Sequence, residues 1–201
     1  MPMIAPLTYD GPMTPPTAMD EPTALSPGPH RDLVGDGLVL RPWELPHAPL
    51  LVEVSQDPLI ATWNTLNATT LEAAQAWITK VQEWTNFATF AVHDAESHAI
   101  LGSISLFHLD AANLSGEIGY WVAPAVRGQG VAGRAIETVS RFAFDDLGVV
   151  RVELYHAVEN ERSCPAASKA RFSLEGTLRQ SYRYSDGNLH DEHLHARLRT
   201  D

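Results

Sequence analysis

The sequence is poor in cysteine, in basic residues and in long apolar runs, and each shortage excludes a class of protein. Its one cysteine permits no disulfide within the chain, which suits a reducing compartment. No apolar run is long enough to cross a bilayer, and no basic segment precedes one near the start, so we predict neither a membrane span nor a secretory leader. The 14 Lys and Arg residues against 25 Asp and Glu give a formal charge of −11, which argues against a nucleic-acid surface. We therefore expect a cytoplasmic protein with neither nucleic-acid nor membrane partners.

The first 36 residues differ in composition from the rest of the chain. Eight of the fourteen prolines precede His30, and no hydrophobic period of a helix or a strand accompanies them. Such a segment cannot bury enough apolar surface to offset the entropy of ordering it. We predict a disordered tail over 1–36, with a docking arm for a partner or a neighbouring subunit as the alternative, and one domain over 37–201.

The strongest local signal lies in the middle of the chain. Residues alternate through Ile118–Val122 as in a strand, and Pro124 ends the ladder because it has no N–H to donate. Gly128 and Gly130 follow in a turn that runs into an amphipathic helix. Unpaired N–H groups and the helix dipole favour an anion at a helix N-terminus, and glycines let a phosphate approach closely. The pattern predicts a phosphate-binding turn.

Two familiar phosphate loops do not fit this turn. A Walker loop needs a Lys-Ser/Thr pair where Val131 and Ala132 stand, and a Rossmann fingerprint needs three spaced glycines after a first strand. The residues Arg127–Ala132 do match the pattern Arg-x-x-Gly-x-Ala. With the strand before it, this turn resembles the acyl-CoA signature of the GNAT superfamily of N-acetyltransferases. An ordinary glycine-rich strand–helix turn is the alternative.

Further segments extend the resemblance. From about Gly37 to its end, roughly four-fifths of its length, the chain resembles the RimJ/RimL-type branch, the ribosomal-protein N-terminal acetyltransferases and their relatives. The matching segments are Leu38–Trp43, Thr69–Glu72, Gly116–Val122, Arg127–Ala132, Arg151–Leu154, Asn160–Ser163, Leu174–Arg179 and Gly187–Asp191.

Hydrophobic periodicity predicts strands and helices in the order β-α-α-β-β-β-α-β-α-β-β. The first helix is predicted to stop near Asp57-Pro58, and Thr69 with Glu72 is predicted to form the capping box of the second. This order matches the α/β fold of the resembled superfamily, which has a mixed sheet. In that fold the central strand and the next strand splay apart, and the pantetheine arm of the coenzyme fills the gap. The resemblance puts the splay between Tyr120–Val122 and Leu154–His156.

The resemblance also implies roles for single residues. The backbone N–H of Val122 would donate to the thioester oxygen and stabilise the tetrahedral intermediate. Acetyl-CoA would lie along the central strand, the turn and the starts of two helices. Its implied binding residues are Tyr120, Trp121, Val122, Arg127, Gly128, Gln129, Gly130, Val131, Ala132, Gly133, Asn160 and Ser163.

Asn160 and Ser163 have N-x-x-S spacing at the start of a predicted helix, where capping is an ordinary role for both residue types. The resemblance implies that the Asn160 amide contacts the pantetheine arm. It also implies that the Ser163 hydroxyl gives a proton to the departing CoA thiolate. Capping is the alternative for both, and the two roles can coexist.

Acetylation of an amine needs a group that takes the amine's proton. Glu117 on the central strand is the first candidate, and a salt-bridged structural carboxylate is the alternative. Some members of the family place a carboxylate on the late strand, but Ser181–Tyr184 contains none, and Tyr182 is expected in its place. Further candidates that the residues leave open are His108, His156 and Asp191.

Two other features contain reactive side chains. His190–His195 offers metal-ligand types, and residues 191, 193 and 195 of a strand share a face. The implied chemistry needs no metal, so we predict no metal site. Cys164 could carry an acyl group, but no base neighbours it in the sequence, and a lone cysteine is usually inert packing.

The sequence therefore predicts an acyl-CoA-dependent N-acyltransferase. Its donor is expected to be acetyl-CoA, and its acceptor a primary amine of a protein N-terminus or a small molecule, which attacks directly in a ternary complex. The alternatives are a non-catalytic acyl-CoA-binding or scaffold protein that keeps the fold, and a regulatory module that acts through the tail. A monomer or a homodimer is expected.

Overall fold

Eight strands and five α-helices make up residues 25–64 and 66–201, the part of the chain that the computed structural model describes. The strands are β1 Leu33–Gly35, β2 Leu38–Pro42, β3 Ala88–Asp94, β4 Ile100–Asp110, β5 Ser115–Val122, β6 Arg151–Ala157, β7 Ser173–Arg183 and β8 Leu189–Leu198. The helices are α1 Ala48–Val54, α2 Pro58–Trp63, α3 Leu71–Val81, α4 Val131–Arg141 and α5 Ser163–Lys169. One sheet has the order β1-β2-β3-β4-β5-β6-β8-β7, in which only the β5–β6 pair is parallel.

The predicted order of elements and the mixed α/β fold are confirmed, and the structure adds β1 and α2. β1 lies inside the segment predicted to be a disordered tail, so that prediction extends too far toward the C-terminus. Leu33 packs against the core, and β1 pairs with β2 through Leu33–Gly35 and Leu38–Leu40. Residues 1–24 of the predicted tail lie outside the described residues.

Helix α2 begins where the sequence predicted that a helix would stop. The Asp57 side chain caps it by accepting hydrogen bonds from the N–H groups of Leu59 and Ile60, at 3.1 and 3.0 Å. Pro58 occupies the first helical position, where its missing N–H costs nothing. An Asp-Pro pair that reads as a stop signal therefore starts a second short helix.

Two apolar cores lie on the two faces of the sheet, because side chains alternate along each strand. In β3, Phe90 belongs to the core that includes Ile136 of α4, whereas its neighbour Ala91 belongs to the opposite one. That second core contains Trp43 and the buried stripe of α3, of which Ile78 is fully buried. Helices α4 and α5 thus cover one face, and α1 and α3 the other.

Strands β5 and β6 separate after a short stretch of pairing. Ser115–Glu117 pair with Arg151–Glu153, and the ladder ends there although both strands continue. Tyr120–Val122 and Leu154–His156 therefore border a gap in the sheet, as predicted. The far side of β6 is paired along its whole length with β8. No helix of the described residues is long and apolar enough to cross a membrane.

Candidate active site

A cleft of about 450 Å³ opens at the N-terminus of α4, next to the gap in the sheet. We call it the turn cleft, since Gly128 and Gly130 of the predicted phosphate-binding turn line it together with residues of α2, β5 and α5. Arg162 and Lys169 also line it and are solvent-exposed. The cleft therefore combines a helix N-terminus with two side-chain cations, an arrangement that favours a phosphorylated ligand.

The turn presents its backbone to this cleft. Gly128 and Gly130 have φ angles of 80° and 76°, a left-handed conformation that glycine adopts without strain. The first hydrogen bond inside α4 runs from the Arg134 N–H to the Gly130 carbonyl at 3.2 Å. The N–H groups of Val131–Gly133 precede that bond and have no partner within the helix. These groups are available to an anion.

The Arg127 side chain is used within the protein. Its guanidinium donates to both carboxylate oxygens of Asp57, at 2.6 and 3.0 Å, and its Nε–H donates to the Val122 carbonyl at 3.2 Å. The hydrogen bond from Arg127 holds the pKa of Asp57 below its usual range. Arg127 therefore positions the turn, α2 and the end of β5, and its neutralised charge adds little attraction for a phosphate.

The Val122 N–H points into the gap. The Ala123 N–H donates to the Leu101 carbonyl at 2.8 Å, so these two residues form a hydrogen-bonded pair of the β4–β5 ladder. In an antiparallel ladder such pairs alternate with pairs whose backbone groups face away from each other. Val122, opposite Gly102, belongs to the second kind, so its N–H and carbonyl face the β6 side, where the pairing has ended.

Ser163 lies at the first turn of α5, is 6% exposed and lines the turn cleft. Its Oγ accepts a hydrogen bond from the Tyr120 hydroxyl at 3.2 Å, across the gap. Burial raises the pKa of Tyr120, which therefore stays protonated as a donor. Because Oγ accepts this hydrogen bond from Tyr120, the hydrogen of the Ser163 hydroxyl is available for a hydrogen bond to another acceptor.

Asn160 lies in the turn before α5 and lines the same cleft. Its backbone is fixed by two hydrogen bonds, from its N–H to the Ala157 carbonyl at 2.9 Å and from the Ser163 N–H to its carbonyl at 3.0 Å. Helix α5 has no side-chain cap, and the Asn160 amide makes no hydrogen bond within the described residues. The capping alternative therefore has no support for either residue.

A second cavity, of about 880 Å³, lies against the other end of the gap. We call it the carboxylate cavity, since Glu117 and Glu192 both line it. Aromatic rings make up much of the remaining wall. Both cavities are lined by Trp63, Asn64, Tyr120 and Trp121.

Glu117 is the carboxylate that the sequence singled out. Its side chain is 24% exposed and pairs with Nδ1 of His108 at 3.1 Å. Burial raises the pKa of Glu117, the His108 contact opposes that rise, and Glu153 and Glu192 add to it. A carboxylate with a raised pKa is a stronger base than an ordinary glutamate, which suits proton removal from an amine.

Glu192 is a second carboxylate that sequence reasoning missed. It is 7% exposed and accepts hydrogen bonds from the Ser181 and Tyr184 hydroxyls, both at 2.8 Å. The late-strand stretch around Tyr182 contains no acid, as the sequence showed, but its partner strand β8 supplies one. The usable signal was the alternation of His190–His195, which puts residue 192 on the face opposite to 193.

The structure gathers all but two of the predicted residues in the turn cleft. The turn cleft is lined by Tyr120, Trp121, Val122, Arg127, Gly128, Gly130, Val131, Ala132, Gly133, Asn160 and Ser163. Gln129 does not line it, since its side-chain amide is directed back to the Ala125 carbonyl at 3.5 Å. Glu117 lies in the carboxylate cavity instead.

Comparison with known families agrees with this geometry. Residues 37–173 match the acetyltransferase (GNAT) domain family. The chain belongs to the GNAT family. Among curated proteins, this GNAT chain is 37% identical over 93 residues to "Putative ribosomal N-acetyltransferase YdaF" of Bacillus subtilis, a match that covers 46% of this chain and 50% of the relative. This match confirms the predicted resemblance to the ribosomal-protein acetyltransferase branch.

Solved structures share the fold. A GNAT-family acetyltransferase from Bacillus anthracis superposes with a TM-score of 0.75 at 19% identity and covers 85% of this chain and 100% of its own. RimL, a ribosomal L7/L12 alpha-N-protein acetyltransferase in complex with coenzyme A, superposes with a TM-score of 0.75 at 20% identity and covers 84% of this chain and 98% of its own. The chain spans between 50% and 62% of the length of the curated relatives that it matches.

Proposed function

We propose that this GNAT protein transfers the acetyl group of acetyl-CoA to a primary amine by direct attack in a ternary complex. The observation that carries the proposal is the meeting of two different cavities at the gap between β5 and β6. One is suited to a phosphorylated ligand and the other to a cation, and Tyr120 and Trp121 line both. A donor and an acceptor bound on the two sides would bring a thioester and an amine together at the gap.

The donor would bind in the turn cleft. The N–H groups of Val131–Gly133 and the backbone of Gly128–Gly130 hold the diphosphate, and Arg162 and Lys169 add long-range attraction. The pantetheine arm enters the gap beside Tyr120–Val122, where the strand has lost its partner. The Asn160 amide, free of other hydrogen bonds within the described residues, takes an amide group of that arm.

The chemical step would then use three groups around the gap. The amine nitrogen attacks the thioester carbonyl carbon, and the Val122 N–H donates to the oxygen, which becomes negative. Glu117 takes the proton that the amine must lose, directly or through a water. As the carbon–sulfur bond breaks, the Ser163 hydroxyl gives its proton to the thiolate and takes the Tyr120 proton. The proton that Glu117 removed from the amine passes to solvent, and solvent returns one to Tyr120.

The acceptor class follows from the carboxylate cavity. Two carboxylates beside aromatic rings attract a cationic amine through the carboxylate charges and the ring faces. Lys80 and Arg183 also line the cavity and reduce this attraction. Either a protein N-terminus or a small amine meets this description, and the name of the Bacillus subtilis relative favours the first. A cytoplasmic monomer or homodimer, without nucleic-acid or membrane partners, completes the proposal.

The proposal is tested by titrating the purified full chain with acetyl-CoA and CoA in a calorimeter and then screening an amine panel for release of free thiol. The panel should hold short peptides with free N-termini, polyamines, amino sugars and matched N-acetylated controls. We expect micromolar binding and thiol release that depends on a free amine. Binding without turnover of any amine would favour the non-catalytic alternative, and no binding of either nucleotide would contradict the proposal.

Replacing Ser163 with alanine should separate catalysis from binding. We expect kcat to fall about 100-fold because the leaving thiolate loses its proton donor. The dissociation constant for acetyl-CoA should change by no more than about fivefold, since one neutral hydrogen bond contributes about 1 kcal/mol to binding. Ser168→Ala, on an exposed position of the same helix, is the matched control. An unchanged kcat in Ser163→Ala would limit Ser163 to a packing role.

A further inference from the structure

Four side chains with metal-binding atoms converge next to α5, outside both cavities. They are His156 of β6, Cys164 of α5, and His193 and His195 of β8, and their ligand atoms all lie within 4.8 Å of one another. No base neighbours Cys164 along the chain, as the sequence indicated. In the fold, β6 and β8 bring three imidazoles to it from residues 8, 29 and 31 positions away.

Four of the six distances between ligand atoms in this cluster are close to those of a tetrahedral site. Cys164 Sγ lies 3.3 Å from His156 Nε2, 3.2 Å from His193 Nδ1 and 3.4 Å from His195 Nε2. The two Nε2 atoms are 3.4 Å apart. Zinc bonds of about 2.3 Å to sulfur and about 2.0 Å to nitrogen put tetrahedral ligands about 3.5 Å apart for S···N and about 3.3 Å for N···N.

The orientation of the His156 ring is fixed from outside the cluster. Its Nδ1–H donates to the Ala157 carbonyl at 2.7 Å, because a carbonyl can only accept. Its Nε2 therefore carries a lone pair, and this lone pair faces the sulfur and His195. A metal-binding histidine is usually oriented by such a hydrogen bond, from its non-ligating nitrogen to a backbone carbonyl.

His195 turns one ring nitrogen toward the centre of the cluster. The ring is 2% exposed, and its Nε2 lies 3.4 Å from both Cys164 Sγ and His156 Nε2. With a cation at the centre, Nε2 is a ligand and Nδ1 carries the proton of the ring.

We propose that His156, Cys164, His193 and His195 bind one zinc ion in a closed tetrahedral site. Four protein ligands leave no open position for a substrate, so the ion is structural. Three imidazoles and one thiolate suit zinc among the common divalent ions, whereas magnesium and calcium require oxygen ligands. The ion joins the first turn of α5 to β6 and β8, and it thereby fixes Ser163, the residue that precedes Cys164.

The test uses the full chain without a histidine tag. The metal is removed with a chelator, and zinc is returned in competition with a chromophoric chelator. We expect one equivalent of zinc per chain, with submicromolar affinity and a rise in melting temperature. Cobalt in place of zinc should give the intense visible bands of a tetrahedral complex and a thiolate-to-cobalt charge-transfer band in the near ultraviolet. If the wild-type chain, once its metal has been removed, does not bind zinc stoichiometrically, the proposal is wrong. This outcome does not depend on any variant.

Two variants assign the ligands. Cys164→Ser should abolish the thiolate-to-cobalt band, and His193→Ala, at a half-buried position, should weaken zinc binding at least about tenfold. His98→Asn is the control, since His98 is exposed, has a φ of 62° that asparagine tolerates, and lies outside the cluster. If Cys164→Ser kept the thiolate-to-cobalt band, the proposed site would be wrong. It would also be wrong if His98→Asn weakened zinc binding as much as His193→Ala does. The metal content is read without acetyl-CoA, so its outcome is independent of the proposed activity.

Discussion

Replacing Gly130 with valine is expected to weaken acetyl-CoA binding at least about 100-fold, or about 2.7 kcal/mol. Gly130 has a φ of 76° and is the N-cap of α4, so its backbone defines where the unpaired N–H groups of Val131–Gly133 point. A branched side chain at that φ pushes the turn toward another conformation and extends into the space over which a diphosphate must lie. Calorimetric titration with acetyl-CoA measures the loss.

Gly148→Val is the matched control for that experiment. Gly148 also has a positive φ, of 72°, and a side chain there would meet no atom within 4 Å, as at Gly130. Both variants should therefore lose a similar amount of stability, of about 2 kcal/mol. Gly148 ends the segment after α4 and does not line the turn cleft, so its variant should bind acetyl-CoA normally. Equal binding losses in the two variants would show that strain, and not the anion site, explains the effect.

Replacing Glu117 with glutamine is expected to lower kcat/KM for the amine about 100- to 1,000-fold, since the glutamine amide cannot take a proton. The side chains are nearly the same size, so the His108 contact and the wall of the carboxylate cavity should keep their shape. Acetyl-CoA affinity should be unchanged, because Glu117 does not line the turn cleft. Steady-state assays for thiol release measure kcat/KM for the amine, and calorimetry measures the affinity for acetyl-CoA.

The pH dependence of the reaction gives a second test of Glu117. Burial is the largest cause of its raised pKa, so the base form is lost as the pH falls through a value above the ordinary 4.5. The acidic limb of kcat/KM in the wild type should lie above that value, and Glu117→Gln should lack this limb.

Glu153→Gln is the control for charge near Glu117. Glu153 lies opposite Glu117 in the β5–β6 ladder and pairs with Arg151 outside the cavity. Its negative charge raises the pKa of Glu117, so removing it should move the acidic limb to lower pH while kcat is kept. An acidic limb that persists in Glu117→Gln would assign the base to another group, with Glu192 as the next candidate.

Much of the turn cleft could be predicted because its signals are local. Gly128 and Gly130 reveal a left-handed turn, and the residues after them reveal a helix whose first N–H groups must be free. The splay was also predicted, through the resemblance, and the structure confirms it. Smaller local errors concern boundaries: Thr70, not Thr69, caps α3, because its hydroxyl accepts from the Ala73 N–H at 3.1 Å.

The alternation of His190–His195 indicates which of its side chains share a face, but the full carboxylate cavity and histidine cluster could not be predicted because they depend on register between distant strands. Glu192 reaches Ser181 and Tyr184 only because β7 and β8 pair with irregularities between Leu174 and Gly176 and between Leu178 and Tyr182. Such bulges change which face a residue occupies and leave no clear trace in a single sequence. Cys164 likewise meets its three histidines only after β6 and β8 have paired.

The three residue pairs that join β5 to β6 have a consequence for the whole molecule. They divide the sheet into a five-stranded plate, β1–β5, and a three-stranded plate, β6–β8, and the groups of the proposed reaction are shared between them. Glu117, Tyr120 and Val122 belong to the larger plate, and Glu192 belongs to the smaller one, where Ser163 begins the helix that follows β6. A coenzyme arm in the gap would replace the missing ladder and act as the strand that completes the sheet. The donor would then also be a structural component, and its binding would stabilise the folded protein by an amount that rises with its free concentration.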